Sequence, residues 1–149
     1  MHAMDLLANW SAERDRLRRG LSLLSDEHLA FRLRPGGMSI GEMVCHLATG
    51  EWFWFAAAAG EDISPPQQAL TADAPTVPAH IELLDRVHAQ TRALLDGCSD
   101  DDLDRQVTMP WGASYALGQI AWMILSEELH HRGQLFQMIA MQGLTPPDQ

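Results

Sequence analysis

Apolar residues at Leu7, Trp10, Leu17, Leu21 and Leu24 recur in steps of three, four or seven. That spacing turns one face of a helix toward a core and predicts a first helix over residues 3–25. Arg34, Pro35, Gly36 and Gly37 punctuate the chain, and Ser39 stands three residues before Glu42, the arrangement of a capping box. A second helix is expected from there to Ala59, dense in Trp, Phe and Ala and so largely buried, stopping at Gly60. Residues 61–78 hold Pro65, Pro66, Pro75 and Pro78 without a helix or strand period. Helical spacing returns through Ile81, Leu84, Val87, Thr91, Leu94 and Leu95, with Gly97 as the expected C-terminal cap. Ser99 to Asp104 reads as an acidic loop, Arg105 to Trp111 as a weakly alternating extended segment, and Tyr115 to Gln142 as a fourth long helix ended by Gly143, Pro146 and Pro147. The fold class is therefore all-α, a four-helix bundle forming a single domain over residues 1–149. The long stretch between helices two and three predicts one connection that crosses the bundle.

Charge narrows the function. Twenty acidic against ten basic side chains give a net charge of −10, and every basic residue is arginine. Without lysine there is no phosphate-loop lysine, Schiff-base lysine or Ser-x-x-Lys nucleophile. An acidic chain repels phosphate backbones, so nucleic acid is not an expected partner. The apolar run Trp52–Gly60 lies between Glu51 and Glu61 and is far shorter than the roughly 20 residues that span a bilayer, so no membrane partner is expected either. Residues Met1 to Glu13 carry no basic segment followed by an apolar one, and the only cysteines are Cys45, in an apolar helical run, and Cys98, in a polar turn. A reducing cytoplasm without a framework disulfide is the expectation.

Three motifs are decoys. Gly37-Met38-Ser39-Ile40-Gly41 has the letters of a nucleophile elbow but lacks the strand and sheet that elbow requires, and Ser39 is accounted for as a helix cap. Asp100, Asp102 and Asp104 are spaced as in a calcium loop, yet Arg105 and Trp111 stand where Gly and Glu are needed. Cys45 is turned about 100° from His46 on a helix and reads as a buried structural thiol.

One constellation can carry chemistry. Glu127 and His131 are four apart on helix four, on one face with Ile120, Ile124, Leu135 and Met138. An ionisable pair in an apolar stripe needs a partner. His46, sharing a face with Met43, Gly50 and Phe53 on helix two, is a second polar residue in an apolar pattern. Three N/O donors from two helices fit a metal site that keeps positions open for water or substrate; a hydrogen-bonded His–Glu cluster without metal fits the spacing equally. Arg132 points away from this pair. His130 is either a substrate-side group or an interhelical hydrogen-bonding residue. Trp52, Trp54, Trp111 and Trp122 either line a pocket or fill the core, and His2, His28, His80 and His88 are expected at the surface.

Residues Met38 to Leu47, followed by Glu51-Trp52-Phe53-Trp54, resemble the first signature of the DinB/YfiT-like metalloprotein superfamily, and His130 to Leu135 its second. Order and spacing agree over residues 5–142. The resemblance implies metal ligands at His46 and His131 and a third at Glu127, where many members have histidine. Two imidazoles and a carboxylate suit zinc or nickel first, with iron or manganese as alternatives. It further implies an enzyme that uses a low-molecular-weight thiol, mycothiol, bacillithiol or glutathione, as cosubstrate for transfer to or isomerisation of a small electrophile, the divalent ion lowering the pKa of the thiol. A non-catalytic metal-binding dimer and a metal-dependent hydrolase remain open beside it. Helices this rich in Trp, Phe and Ala hold more apolar surface than four short faces readily bury, which, with the resemblance, predicts a homodimer.

Overall fold

A computed structural model describes residues 3–63 and 69–148 of the chain. Helix α1 covers Ala3–Leu21, α2 Ile40–Ala59, α3 Val77–Leu95, α4 Asp100–Leu103 and α5 Leu117–Met141, with a two-stranded antiparallel hairpin, β1 Gln106–Thr108 and β2 Ser114–Ala116, between α4 and α5. The four long helices are those the apolar spacing predicts. His2 and residues 64–68 of the Pro-rich connection lie outside the described residues.

Side-chain contacts fix the helix directions. Trp10, Glu13 and Gly20 of α1 meet Glu128, Arg132 and Phe136 of α5 in rising order, so these two helices run parallel. Gly41 and Glu51 of α2 meet His80 and His88 of α3 in rising order as well. Across the two pairs the order reverses: Trp10 packs on His88 while Arg14 reaches the Leu84 carbonyl. Because α2 and α3 are parallel neighbours, the chain between Ala59 and Val77 must return the length of the bundle. This is the crossover that the Pro-rich stretch predicts.

Local chemistry explains the differences at the ends. Helix α1 stops at Leu21 instead of residue 25, since Ser25 adopts an extended conformation at the start of a 3-10 helix, Asp26–Ala30, where its backbone N–H donates to the His28 ring Nδ1. Ser39 and Glu42 form the predicted reciprocal cap of α2, and Gly60, at φ +76°, ends it. Gly97 is not the cap of α3: Asp96 takes that place in a right-handed conformation. Ser99 to Asp104 is not a loop either, because Ser99 and Asp102 form a further capping box that nucleates α4. The extended segment is narrower than predicted and pairs with Ser114–Ala116 through a turn in which Gly112 has φ +86°. No helix among the described residues is long and apolar enough to cross a membrane.

The core has two parts. One gathers Leu17, Leu21, Val44, Leu84 and Leu135; the other gathers Trp10, Phe55, Leu95, Leu117 and Ile120. Cys45 and Cys98 are both free and half-buried, so Cys45 is not the buried thiol expected.

Candidate metal centre and the charged floor beneath it

Helices α2 and α5 bring His46, Glu127 and His131 together, as their spacing predicts. One donor atom of each lies within 4.8 Å of the others. His46 Nε2 is 3.3 Å and His131 Nε2 3.0 Å from the same Glu127 oxygen, Oε1, and the two imidazoles meet edge to face at 4.9 Å. Partial burial works to raise the Glu127 carboxyl, but the hydrogen bonds and charge of His46 and His131 outweigh it and hold the group below its ordinary value.

The expectation that all three lie in the core is corrected. Only His131 is buried; the His46 and Glu127 side chains are 44% and 49% exposed. On α5 the inward position belongs to Glu128, one residue and about 100° round the helix from Glu127. The cluster therefore sits at a rim where ligands have access, not sealed in the bundle.

His131 is held by a dedicated partner. Its Nδ1–H donates to Gln134 Oε1 at 2.7 Å, one turn along α5, which leaves Nε2 for the cluster. Exposed His130 does not join the three residues; its Nε2 lies 3.2 Å from the Gln134 amide nitrogen. Arg132 turns away and pairs with Glu13 of α1, holding α5 against α1. A donor set of two imidazole nitrogens and a carboxylate oxygen, with one imidazole oriented through its other nitrogen, fits a divalent ion of the zinc, nickel, iron or manganese type. Changing Gln134 to alanine should weaken divalent-metal binding by about 10–100-fold, the usual cost of losing such an orienting bond. Competition with a coloured chelator measures it.

His46 and Glu127 open on a cavity of about 220 Å³, whose wall is Leu47, Trp54, Met123 and Ile124 and whose floor is Arg14, Glu51 and Glu128. The floor residues are 3%, 1% and 2% exposed. Arg14 donates from Nε and Nη2 to the two Glu128 oxygens at 3.0 and 2.7 Å, from Nη2 to Glu51 Oε2 at 2.6 Å, and from Nη1 to the Leu84 carbonyl at 3.1 Å. Trp10 Nε1–H donates to Glu128, and His88 Nδ1–H to Glu51 Oε1, at 2.7 and 2.8 Å. Burial opposes charge at Glu51 and Arg14. For Glu51 the guanidinium of Arg14 and the His88 hydrogen bond outweigh it and keep the carboxyl below its ordinary value; for Arg14 the two carboxylates outweigh it and raise the pKa.

Sequence reasoning missed this floor. His88 and His80, expected at the surface, are both buried, His80 beside the Thr76 carbonyl. A signal was available. Position 14 falls in the apolar register of Trp10, Leu17 and Leu21, position 51 in that of Leu47 and Phe55, and position 128 in that of Ala121, Ile124 and Leu135. Of the tryptophans, Trp54 lines the cavity and also joins Phe53 and the hairpin residues Trp111 and Tyr115 in an aromatic cluster. Trp111 and Trp122 are exposed. His46 also borders a second, wider groove of about 710 Å³, lined by Cys45, Thr49, His80 and the segment 69–75.

The comparisons with known proteins agree with this architecture. The family model of the DinB superfamily matches residues 9–135. A protein of Geobacillus kaustophilus called a putative metal-dependent hydrolase is 30% identical over 143 residues, covering 85% of this chain and 78% of its own. Among solved structures, a DinB-like protein from Bacillus cereus superposes with a TM-score of 0.81 at 19% identity, over 99% of this chain and 97% of that one. The mycothiol-dependent maleylpyruvate isomerase has the same fold at a TM-score of 0.64 and 16% identity, over 91% of this chain and 61% of its own. So does the colibactin self-resistance protein ClbS, solved with double-stranded DNA, at 0.68 and 18%, over 92% and 95%. With the family model spanning the bundle from α1 into α5, the chain belongs to the DinB superfamily.

Proposed function

We propose that the protein is a metal-dependent enzyme in which His46, Glu127 and His131 hold one divalent ion and a low-molecular-weight thiol is brought to a small electrophile. The observation that carries the metal reading is the convergence of three N/O donors within 4.8 Å at the open mouth of a cavity. Three protein ligands with accessible positions left over suit catalysis better than a closed structural site. When bound, the ion supplies Lewis acidity that favours an anionic nucleophile at neutral pH. Glu127 contributes the negative charge of the site, Gln134 fixes the His131 ring, and Leu47, Trp54 and Ile124 exclude water from the inner wall.

A transferase or isomerase is favoured over a hydrolase by the two cavities that meet at His46, a small one and a wide groove, since two reactants need two approaches to one centre. The mycothiol-dependent neighbour supports the thiol and the Geobacillus relative supports the metal. The metal-loaded protein, assayed with mycothiol, bacillithiol and glutathione against a panel of small electrophiles, should turn over at least one pair well above the free-metal background. Binding of metal without turnover of any pair leaves the non-catalytic bundle as the better reading. Hydrolysis without thiol selects the hydrolase.

The expected setting is the cytoplasm, with a small molecule and not nucleic acid as partner. The net charge of −10 argues against phosphate-backbone binding, and the DNA-bound neighbour makes a salt-dependent DNA titration the direct check. A homodimer is proposed too, with Trp122, more than half exposed on α5, among the apolar residues that a partner would cover. Sedimentation at micromolar concentration should give the mass of two chains, unchanged in metal-free His131→Ala. The mass of one chain throughout would refute it.

A further inference from the structure

The floor of the small cavity holds more hydrogen-bond acceptors than donors. Arg14 sets one guanidinium against the two carboxylates of Glu51 and Glu128 in a place almost closed to water, and the imidazole of His88 joins them from α3 through a single hydrogen bond to Glu51. Hydrogen-bond counting points the same way. An ionised carboxylate offers about four acceptor positions and a guanidinium five donors. Among the described residues Glu51 accepts two bonds, Glu128 three, and Arg14 gives four. Roughly three acceptor positions are then left over against one Arg14 donor position, and beside them the buried Nε2 of His88 has no hydrogen-bond partner among the described residues. The wall adds Trp54, whose indole is the aromatic group best suited to a neighbouring cation.

We propose that this cavity is a specificity pocket for a small molecule carrying an ammonium, or a comparable hydrogen-bond-donating end, which is received by Glu51 and Glu128 opposite the cluster at the mouth. An anionic end is rejected there, because it would face two buried carboxylates with one guanidinium already engaged by both. A neutral apolar end leaves the acceptor positions unfilled. Under the proposed function this sets the substrate class: a dipolar molecule, with its reacting or metal-seeking group at the mouth and its donor group at the floor. The inference rests on that reading only for which end faces outward; the preference for a cation belongs to the floor alone.

The test can therefore be run on the metal-free protein, with n-butylammonium, n-butanol and butyrate as probes of nearly equal shape. The Trp10 indole N–H, bonded to Glu128, is an NMR reporter of the floor, and the Gly50 amide one of the lining. Butylammonium should shift both resonances saturably and bind at least about tenfold more tightly than butanol, about 1.4 kcal/mol; butyrate should shift neither. In Glu51→Gln the preference should fall to within about twofold. Should that variant fail to fold, Met123→Arg, which sets a cation on the half-buried wall, should abolish the preference instead. Equal or tighter binding of butanol or butyrate overturns the proposal, as does the absence of saturable shifts with all three. Metal analysis of the same samples is read separately: loss of the metal reading with the ammonium preference intact removes the enzyme proposal and leaves the pocket.

Discussion

Replacing His131 by alanine should take bound divalent metal from about one ion per chain to a small fraction of that, and His46→Ala should do the same, because under the proposed assignment each removes one of three protein ligands. The affinity loss is expected to exceed the ~10–100-fold that an orienting partner contributes, and so to exceed that of the Gln134 variant. The two histidines should nevertheless differ in their effect on folding. His131 is buried against the bundle, whereas the His46 side chain is 44% exposed. His46→Ala should leave the melting temperature of the metal-free protein within experimental scatter of wild type, and His131→Ala should lower it, since a cavity and an unpaired Gln134 Oε1 remain. Elemental analysis after exhaustive dialysis, paired with thermal melts in chelator, reads both effects. Stoichiometric metal retained in both variants would refute the ligand assignment.

Glu127 makes the site pH-dependent in a definite direction. Its carboxyl lies below the ordinary value, so it remains an available anion well into mild acid. Metal binding should accordingly not be lost through protonation of Glu127 until the pH falls below the ordinary carboxylate range, as ligand groups must be free of protons to bind.

Much of this was legible in the chain. A helix announces itself through its own periodicity, and Ser39 with Glu42 or Gly60 marks its ends within a few residues. The His46, Glu127 and His131 cluster was legible because two of the three share one helix face and all three interrupt apolar patterns. Three things were not. Capping boxes at Ser25 and Ser99 create short helical turns where polar composition reads as loop. Which of two adjacent glutamates faces inward depends on a rotation of about 100°, and the packing of α1 settles it, because Arg14 and Trp10 draw Glu128 inward and leave Glu127 at the rim. The partnership of residues 14, 51, 88 and 128, contributed by four helices, has no local signature at all. Each member appears in its own helix only as a polar residue out of place.

That network carries the second large effect. Arg14→Met keeps much of the side-chain volume but leaves Glu51 and Glu128 buried without their cation. Breaking a buried ion pair from one side costs about 3–5 kcal/mol, largely as the penalty of the stranded charge. A loss of that size is expected at neutral pH by urea unfolding. It should be mostly recovered in the triple variant Arg14→Met, Glu51→Gln, Glu128→Gln, which removes the charges together and keeps amides able to bond to Trp10 and His88. The pH dependence discriminates this account from simple loss of packing. In the wild-type protein Glu51 has a folded pKa below its unfolded one. Its contribution is therefore complete above the unfolded value, near 4.5, and is lost as the pH falls through the folded value, so acid destabilises the protein. Without Arg14, burial governs and the Glu51 carboxyl should move above its ordinary value. The unfolded chain then releases protons that the folded chain keeps, and acidification should stabilise the variant relative to wild type, narrowing the gap between them from pH 7 toward pH 5. A gap independent of pH over that range would mean that Arg14 contributes packing alone, and that Glu51 is not held as an anion at the cavity floor.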